Sequence, residues 1–380
     1  MKVAIIHDYL REYGGAEMVV EDLHNIFPDA PLYVFYLDPK GLGHHYDRMK
    51  DWKIISSWYQ YFPFAKKFLS ASRMIAPFVF SSFDLSEYDV VISSSNHHSA
   101  KAVKTNPGAI HLSYIHTPPR LLYGYTTSYN YKKHWYIRIL AEIANHFLRI
   151  IDFKISQNPT VLVANSKNVQ SRIRKFYRRD AEIIYPGVDI EQYAQAKKNS
   201  GDYYISLNRL SRGKGTEIVV TACTQMGLKL KVAGSGPDSE SLKSIAGKTI
   251  EFMGHVTEEE KIKLLANAKA LIVATEAEDF GITAIEAQAA GTPVIAANSG
   301  GYLETVLKGK TGEFFDVPQN LAETKEYVSQ KAVASLIEVL KDFNPKKYSE
   351  KDCRNQAEKF SKQNFKKQIL NLIEKNKPNS

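Results

Sequence analysis

Two glutamates eight residues apart, Glu278 and Glu286, could grip the two ends of one ligand. They lie in the stretch 274–315, ATEAEDFGITAIEAQAAGTPVIAANSGGYLETVLKGKTGEFF. The apolar run 270–273 just before it is continuous, β-branched and too short for a helix, so it reads as a buried strand. Residues 284–290 read as a helix, ended by Gly291-Thr292-Pro293. The N–H groups of Gly281, Ile282 and Thr283 then form an unpaired first turn, a ready anion site. Glu278 stands just before those donors, and Glu286 lies about 12 Å further along the axis. Hydroxyls at the two ends of an extended ligand, with an anion on the amides between them, fit this layout. A helix cap and a solvated helix residue are the plainer readings of each Glu alone. The small residues Ala287, Ala289 and Ala290 argue for close packing beside Glu286.

Further groups stand at predicted strand ends. Arg209 and Lys214 share one loop after the strand 203–207, where two fixed cations can neutralise a diphosphate leaving group. A solvated basic loop is the alternative. His116 ends the strand 110–115, and Pro118 and Pro119 stiffen the loop behind it. Doubly wound folds carry their reactive groups at such carboxyl ends. Gly14 and Gly15 open a helix after the first strand and allow a phosphate to approach the backbone, although a simple tight turn explains them equally. The chain has no Asp-x-Asp, and Cys223 and Cys353 have no metal-ligand spacing, so neither a metal nor a cofactor is expected.

Glu278-x7-Glu286 inside EDFGITAIEAQAAGTPVIA, followed by SGGYLETV and GKTGEFF, resembles the retaining nucleotide-sugar glycosyltransferases of family GT4, a large bacterial group. Sucrose synthases and the polyprenyl and inositol-phosphate mannosyltransferases belong to it. EDFG with EAQAAG is most similar to its GDP-mannose-using members. The resemblance implies the α/β GT-B fold: two facing Rossmann-like domains with a C-terminal helix crossing back to the first. It divides the chain into an acceptor domain at 1–186, a donor domain at 187–350 and a crossover helix and tail at 351–380.

The resemblance also implies residue roles. HTPPR at 116–120 gives His116 a contact with the donor sugar near the reacting carbon, and Arg120 a loop-ordering or acceptor role. The GGxE turn puts Gly14 and Gly15 beside the donor diphosphate or the acceptor, with Asp8 as an acceptor contact. Arg209 and Lys214 match R-x4-K-G and hold the diphosphate. Backbone around His255 and Val256 meets the nucleobase. The run Glu278, Asp279, Phe280, Gly281, Ile282, Thr283 binds the donor, with Glu278 on sugar hydroxyls and Glu286 on the ribose. The implied reaction moves a hexose, mannose from GDP-mannose in the first reading and the sugar of a UDP or dTDP donor in the second. The acceptor is a hydroxyl of a glycan or lipid-linked molecule, in cell-surface polysaccharide or glycolipid synthesis.

Along the whole chain, 380 residues point to two domains. MKVAIIHDYL reads as a first strand rather than a signal peptide, and no run of about 18 apolar residues exists. Two cysteines fit a reducing, cytoplasmic compartment. The net charge of +9 is local: from Lys101 to Asp180 there are 14 Lys and Arg against 3 acids, or +11. Such a patch suits an anionic partner, such as the inner face of the cytoplasmic membrane. Nucleic acid is not expected, since no recognised module is visible. The aromatic stretch 52–83 reads as helices packed on the sheet, with an apolar surface for a lipid-linked acceptor as the alternative. Residues 123–153 combine Tyr129, Tyr131, Lys132, Lys133 and Trp135 with an apolar helical stripe, which suits either a membrane interface or a packed helix. In the tail, Phe360, Phe365, Ile369 and Leu372 form the expected docking face. A two-domain dehydrogenase would need GxGxxG after a strand with an acid about 20 residues on, and that pattern is absent from the sequence. A non-catalytic sugar- or membrane-binding module stays open as a rival.

Overall fold

Short β-branched runs flanked by helices on both sides can bury both faces only as a parallel sheet, and two such sheets form. The computed structural model describes residues 1–96, 99–125, 135–196, 201–318 and 328–377, with side chains from 138 onward in the 135–155 helix. The first sheet holds β1 (Val3–His7), β2 (Leu32–Val34), β3 (Ile54–Ser56), β4 (Val90–Ser95), β5 (Ile110–Ile115), β6 (Val161–Ala164) and β7 (Glu182–Ile183). Their order is β3-β2-β1-β4-β5-β6-β7, all parallel. The second holds β8 (Tyr204–Leu207), β9 (Leu230–Ala233), β10 (Ile250–Gly254), β11 (Leu271–Val273), β12 (Val294–Ala297) and β13 (Gly312–Phe315). It runs β10-β9-β8-β11-β12-β13, again parallel.

The described residues fall into two compact units. One joins residues 1–124, 135–187 and 363–377; the other holds Tyr125 and the described residues of 188–362. In the first unit the strand pleat sends Val3 and Ile5 to one face and Ala4 and Ile6 to the other. The Val3 face is covered by the helix Gly15–Ile26 and by the helix Lys362–Lys375, whose Phe365, Ile369, Leu372 and Ile373 enter that core. The C-terminal helix thus returns to the first sheet. Phe360 does not share its docking face, which corrects the sequence reading. It lies three residues short of the crossing and packs edge-on to Phe280 in the second unit.

The Ala4 face is covered by residues from the 59–85 stretch, with Ile155 of the helix Trp135–Ile155 against the same core. Here the structure departs again from expectation. Ile54–Ser56 is an edge strand, and beyond it the chain makes mostly short turns of helix, Ala65–Phe68 and Ala76–Ser81 among them. Tyr59 and Phe80 are buried, yet Trp58, Tyr61, Phe62, Phe64, Phe68 and Phe78 face outward. A stretch this rich in rings has more apolar surface than one sheet face can cover.

The basic region is also partly internal. Lys101 is buried against Asp152 at 2.6 Å and the Tyr177 hydroxyl at 3.0 Å. Arg172 is buried, and Arg179 donates to the carbonyls of Ser156 and Pro159. Lys104, Arg138, Lys154, Lys167, Arg174, Lys175 and Arg178 remain exposed. Tyr129, Tyr131, Lys132 and Lys133 lie outside the described residues. Among the described residues no helix is long and apolar enough to cross a membrane.

Candidate active site

In open parallel sheets, ligands gather at the strands' carboxyl ends where the strand order reverses. In the second sheet that point lies between β8 and β11, and in the first between β1 and β4. The loops leaving β8 and β11 carry Arg209 to Lys214 and Glu278 to Thr283. The loop leaving β1 carries Asp8, Gly14 and Gly15, and His116 leaves β5 next to β4.

In the second unit Lys214 and Glu278 meet: Nζ lies 3.0 Å from Oε2, with both side chains partly open to solvent. Arg209 is exposed at the start of the same loop. The helix Ile282–Ala289 begins beside them. Its N-cap is Gly281 at φ 94°, a left-handed backbone that glycine adopts freely, and no side chain caps it. The first-turn amides therefore stay available to an anion. The next loop braces this one from behind. The Gly301 N–H donates to the Glu278 carbonyl at 2.9 Å, and the Ser299 hydroxyl donates to the Glu276 carbonyl. A Cβ on Gly300 would stand 2.4 Å from that Glu278 oxygen, so only glycine fits there. His255 and Val256 follow β10, two strands from β8, with His255 exposed.

Glu286 is only 3% exposed, which excludes a solvated helix residue. Its Oε1 lies 2.8 Å from Lys261 Nζ, which also reaches Glu258 at 2.9 Å. Burial alone would lower the Lys261 ammonium pKa, but the charges and hydrogen bonds of Glu286 and Glu258 outweigh it and raise it. Tyr193 donates its hydroxyl to Glu258, and burial together with the two carboxylates pushes its pKa far up. Glu286 is therefore a buried carboxyl group whose orientation is set by Lys261, with half-exposed Glu258 on the other side of that ammonium.

The first unit presents a different construction. Asp8 takes the N–H of Asn96 at 2.7 Å and of Ala100 at 2.9 Å, pinning the segment after β4 to the end of β1. His116 Nε2 lies 2.8 Å from Ser94 Oγ, which lies 3.0 Å from His7 Nδ1. His7 Nε2 is 3.4 Å from Glu17 Oε1, and Glu17 Oε2 accepts the Gly14 N–H at 2.9 Å. His7, Glu17, Ser94 and His116 are all buried. The line therefore runs from the glycine turn to His116 through side chains of β1, β4 and the first helix. The loop after His116 is held by buried Arg172, whose Nη1 donates to Thr117 Oγ1 at 3.0 Å. Arg120 comes three residues later, half-buried.

Sequence reasoning did not single out His7, Glu17, Ser94 or Lys261. Glu17 had a signal, as the third helix residue after Gly14, where a carboxylate reaches back to the N-cap amide. Ser94 and Lys261 had none, because their partners lie on separate elements.

The family model for glycosyl transferases group 1 matches residues 189–331, and that for glycosyltransferase family 4 matches residues 13–192. This chain belongs to the family 4, group 1 glycosyltransferases. Among curated relatives, the glycosyltransferase is 32% identical over 143 residues to a Mycobacterium tuberculosis glycogen synthase, covering 34% of each chain. It is 31% identical over 193 residues to the GDP-mannose-dependent alpha-(1-6)-phosphatidylinositol monomannoside mannosyltransferase of that organism, 43% of this chain and 50% of the relative. The match to the Kluyveromyces lactis alpha-1,3/1,6-mannosyltransferase ALG2 is 25% over 371 residues, 80% of this chain and 71% of the relative. The chain thus spans a third to a half of the first two. Among solved structures, a Thermosynechococcus elongatus sucrose-phosphate synthase aligns at TM-score 0.71 and 18% identity over 99% of both chains. Anabaena HepE in complex with UDP-glucose aligns at TM-score 0.68 and 17% identity, over 99% of this chain and all of HepE. These likenesses establish the GT-B fold for the glycosyltransferase.

Proposed function

We propose that this glycosyltransferase moves a hexose with retention, without a metal, from a nucleoside diphosphate sugar to a hydroxyl of a glycan or lipid-linked acceptor. The observation that carries the reading is the Lys214–Glu278 pair, 3.0 Å apart, beside the uncapped start of the Ile282–Ala289 helix. An arriving diphosphate competes for Lys214 with several negatively charged oxygens against one carboxylate, on the side where the first-turn amides point. Once Lys214 turns to phosphate, its hold on the Glu278 carboxylate weakens and that carboxylate accepts sugar hydroxyls. Arg209 adds a second cation, so the charge growing on the leaving group is met by fixed donors. Glu286, oriented by Lys261, takes the ribose, and the backbone at His255 and Val256 takes the base.

In the reaction the bond from the anomeric carbon to the phosphate oxygen breaks and a bond to the acceptor oxygen forms on the same face. The acceptor proton passes to the departing phosphate oxygen. His116 holds the sugar near the reacting carbon, while Asp8, Gly14, Gly15 and Arg120 shape the acceptor side. Mannose from GDP-mannose is the first choice, supported by the relatives named as mannosyltransferases. A UDP-sugar is the second, favoured by the HepE complex with UDP-glucose. The protein works in the cytoplasm, at the anionic inner face of the membrane.

The test is donor binding and hydrolysis across GDP-mannose, UDP-glucose, UDP-N-acetylglucosamine and dTDP-sugars in EDTA, for wild type and Glu278→Ala. Turnover of one donor in EDTA, lost in the variant, is expected. Binding of no donor overturns the reading in favour of a non-catalytic module.

A further inference from the structure

Among the described residues the exposed large apolar side chains are concentrated in the first unit, with only Leu303 and Leu307 in the second, and clustered exposure of this kind marks an interaction surface. Between Trp58 and Phe78 it lies on Trp58, Tyr61, Phe62, Phe64, Met74 and Phe78, with Tyr61 82%, Phe64 74% and Phe78 68% exposed. In the helix Trp135–Ile155 it lies on Ile139, Leu140, Ile143, Phe147 and Ile150. Those positions recur every three or four residues, so they form one continuous stripe, and the stripe faces outward. A helix of this kind normally turns its apolar stripe to the core.

The two surfaces belong together. Tyr59, Ala65, Leu69, Val79 and Phe80 anchor the first segment in the core on the Ala4 face of the sheet, and Ile155 of the helix packs into that same core. The helices Gly15–Ile26 and Lys362–Lys375 occupy the opposite face. Each exposed surface is therefore carried on an element anchored to the core on the Ala4 face, the first through Tyr59 to Phe80 and the second through Ile155.

The charges around them select the occupant. Residues 58–83 contain exposed Lys67, Lys66 paired with Asp38 at 2.8 Å, and half-buried Arg73, and no acid. The helix carries exposed Arg138 and Lys154 near its ends; of its two acids, Asp152 is buried in the ion pair with Lys101 and half-exposed Glu142 lies 3.9 Å from Arg149. Rings and aliphatic groups rimmed by cations match a bilayer surface with anionic headgroups: apolar tips enter the acyl boundary while Lys and Arg meet phosphates. A two-fold contact with a second copy would set these cations against each other. Phe64 adds one more sign. It stands in the left-handed region at φ 60°, which is rare for a bulky side chain, and its ring is displayed to solvent.

We infer that residues 58–78 and the 139–150 stripe form a single docking surface for an anionic lipid bilayer. This deepens the proposed function, which places an acceptor at that membrane, by assigning the surface to aromatic and aliphatic residues with the cations as its rim.

Flotation of the full chain with phosphatidylcholine vesicles, with and without about 30% phosphatidylglycerol, tests it. Wild type should float with the anionic vesicles and retain part of its binding in high salt, since the apolar contacts are not screened. Phe64→Asn with Phe78→Ser, and separately Leu140→Ser with Phe147→Ser, should each weaken partitioning by roughly tenfold or more. Phe64→Asn is also made alone: Asn tolerates the left-handed backbone, so a loss of binding there reports the missing ring rather than backbone strain. No flotation of wild type overturns the inference, as does undiminished flotation of both double variants. Self-association of wild type that the same changes abolish, seen by sedimentation velocity without vesicles, overturns it in favour of a second copy. Donor hydrolysis in free solution is read in parallel. Its absence strikes the proposed function, whereas its persistence without flotation strikes only the docking surface.

Discussion

At the β8/β11 point the candidate groups are ions that face solvent, Lys214 paired to Glu278 with Arg209 nearby. At the β1/β4 point they are buried side chains linked by directed hydrogen bonds, from Glu17 through His7 and Ser94 to His116. The same topological position is thus furnished in two ways. A mobile, charged diphosphate is best met by ions that can exchange partners. A reacting carbon must be met at one angle, which a buried hydrogen-bonded line fixes and exposed ions do not.

The contrast is easiest to break at the ionic end. Glu278→Ala and Lys214→Ala should each lower kcat for the preferred donor by roughly a thousandfold. A loss below tenfold in steady-state kinetics would mean the pair is a surface ion pair and nothing more. The buried ions of the first unit should instead register as stability. Lys101→Met leaves Asp152 as an uncompensated buried charge and should cost about 3–5 kcal/mol in urea unfolding. Changing the exposed Lys243–Glu240 pair of the second unit should shift the midpoint very little.

Acid should separate the two units further. Burial, reinforced by the Arg179 charge, pushes the His111 imidazole pKa from 6.5 down to about 3. Below pH 6.5 the unfolded chain takes up a proton that the folded one refuses, so the first unit loses stability on acidification. Burial, with Asp238 adding to it, lifts the Glu217 carboxyl from 4.5 to about 7. The unfolded chain ionises first, so the second unit loses stability as pH rises from 4.5 through about 7. Hydrogen exchange between pH 4.5 and 6.5 should show opposite slopes for β5 and for the Thr216–Gln225 helix. Across the full windows these amount to about 5 kcal/mol for His111 and about 3 kcal/mol for Glu217. Slopes of one sign would remove this distinction.

The subtlest difference lies in the hydrogen-bonded line. His116→Ala should reduce kcat by roughly a hundredfold, and Ser94→Ala by about tenfold, with nucleotide affinity by calorimetry unchanged in both. Recovery in Ser94→Thr would tie the effect to the hydroxyl, while an equal loss in nucleotide affinity would show general damage.

Much of this was legible from residue order. β5, β6 and β12 lie where their apolar runs put them, and the helix after Gly281 begins where the glycine and the following alanines require. These are local signals, in which a strand end, a glycine and a helix start share a dozen residues. β3 was not legible, because Ile54–Ser56 is three residues long within a stretch dominated by rings. The outward face of the 139–150 stripe was not legible either, since periodicity names a stripe without saying what covers it. Lys261 meets Glu286 from 25 residues away, and Ser94 meets His116 only because β4 and β5 lie side by side. Such pairs become visible once the strands are placed.

The return of the Lys362–Lys375 helix to the first sheet has a consequence for how the chain is made. Synthesis delivers Val3 and Ile5 long before the side chains that seal their face: Phe365, Ile369 and Leu372 emerge more than 350 residues later. At translation speeds of about 5–20 residues per second, the first unit waits tens of seconds with an open apolar face, and the second can finish before it. A ribosome that stops early therefore releases a chain whose oldest part is unfinished. Quality control could recognise such a chain at its beginning by what is missing from its end.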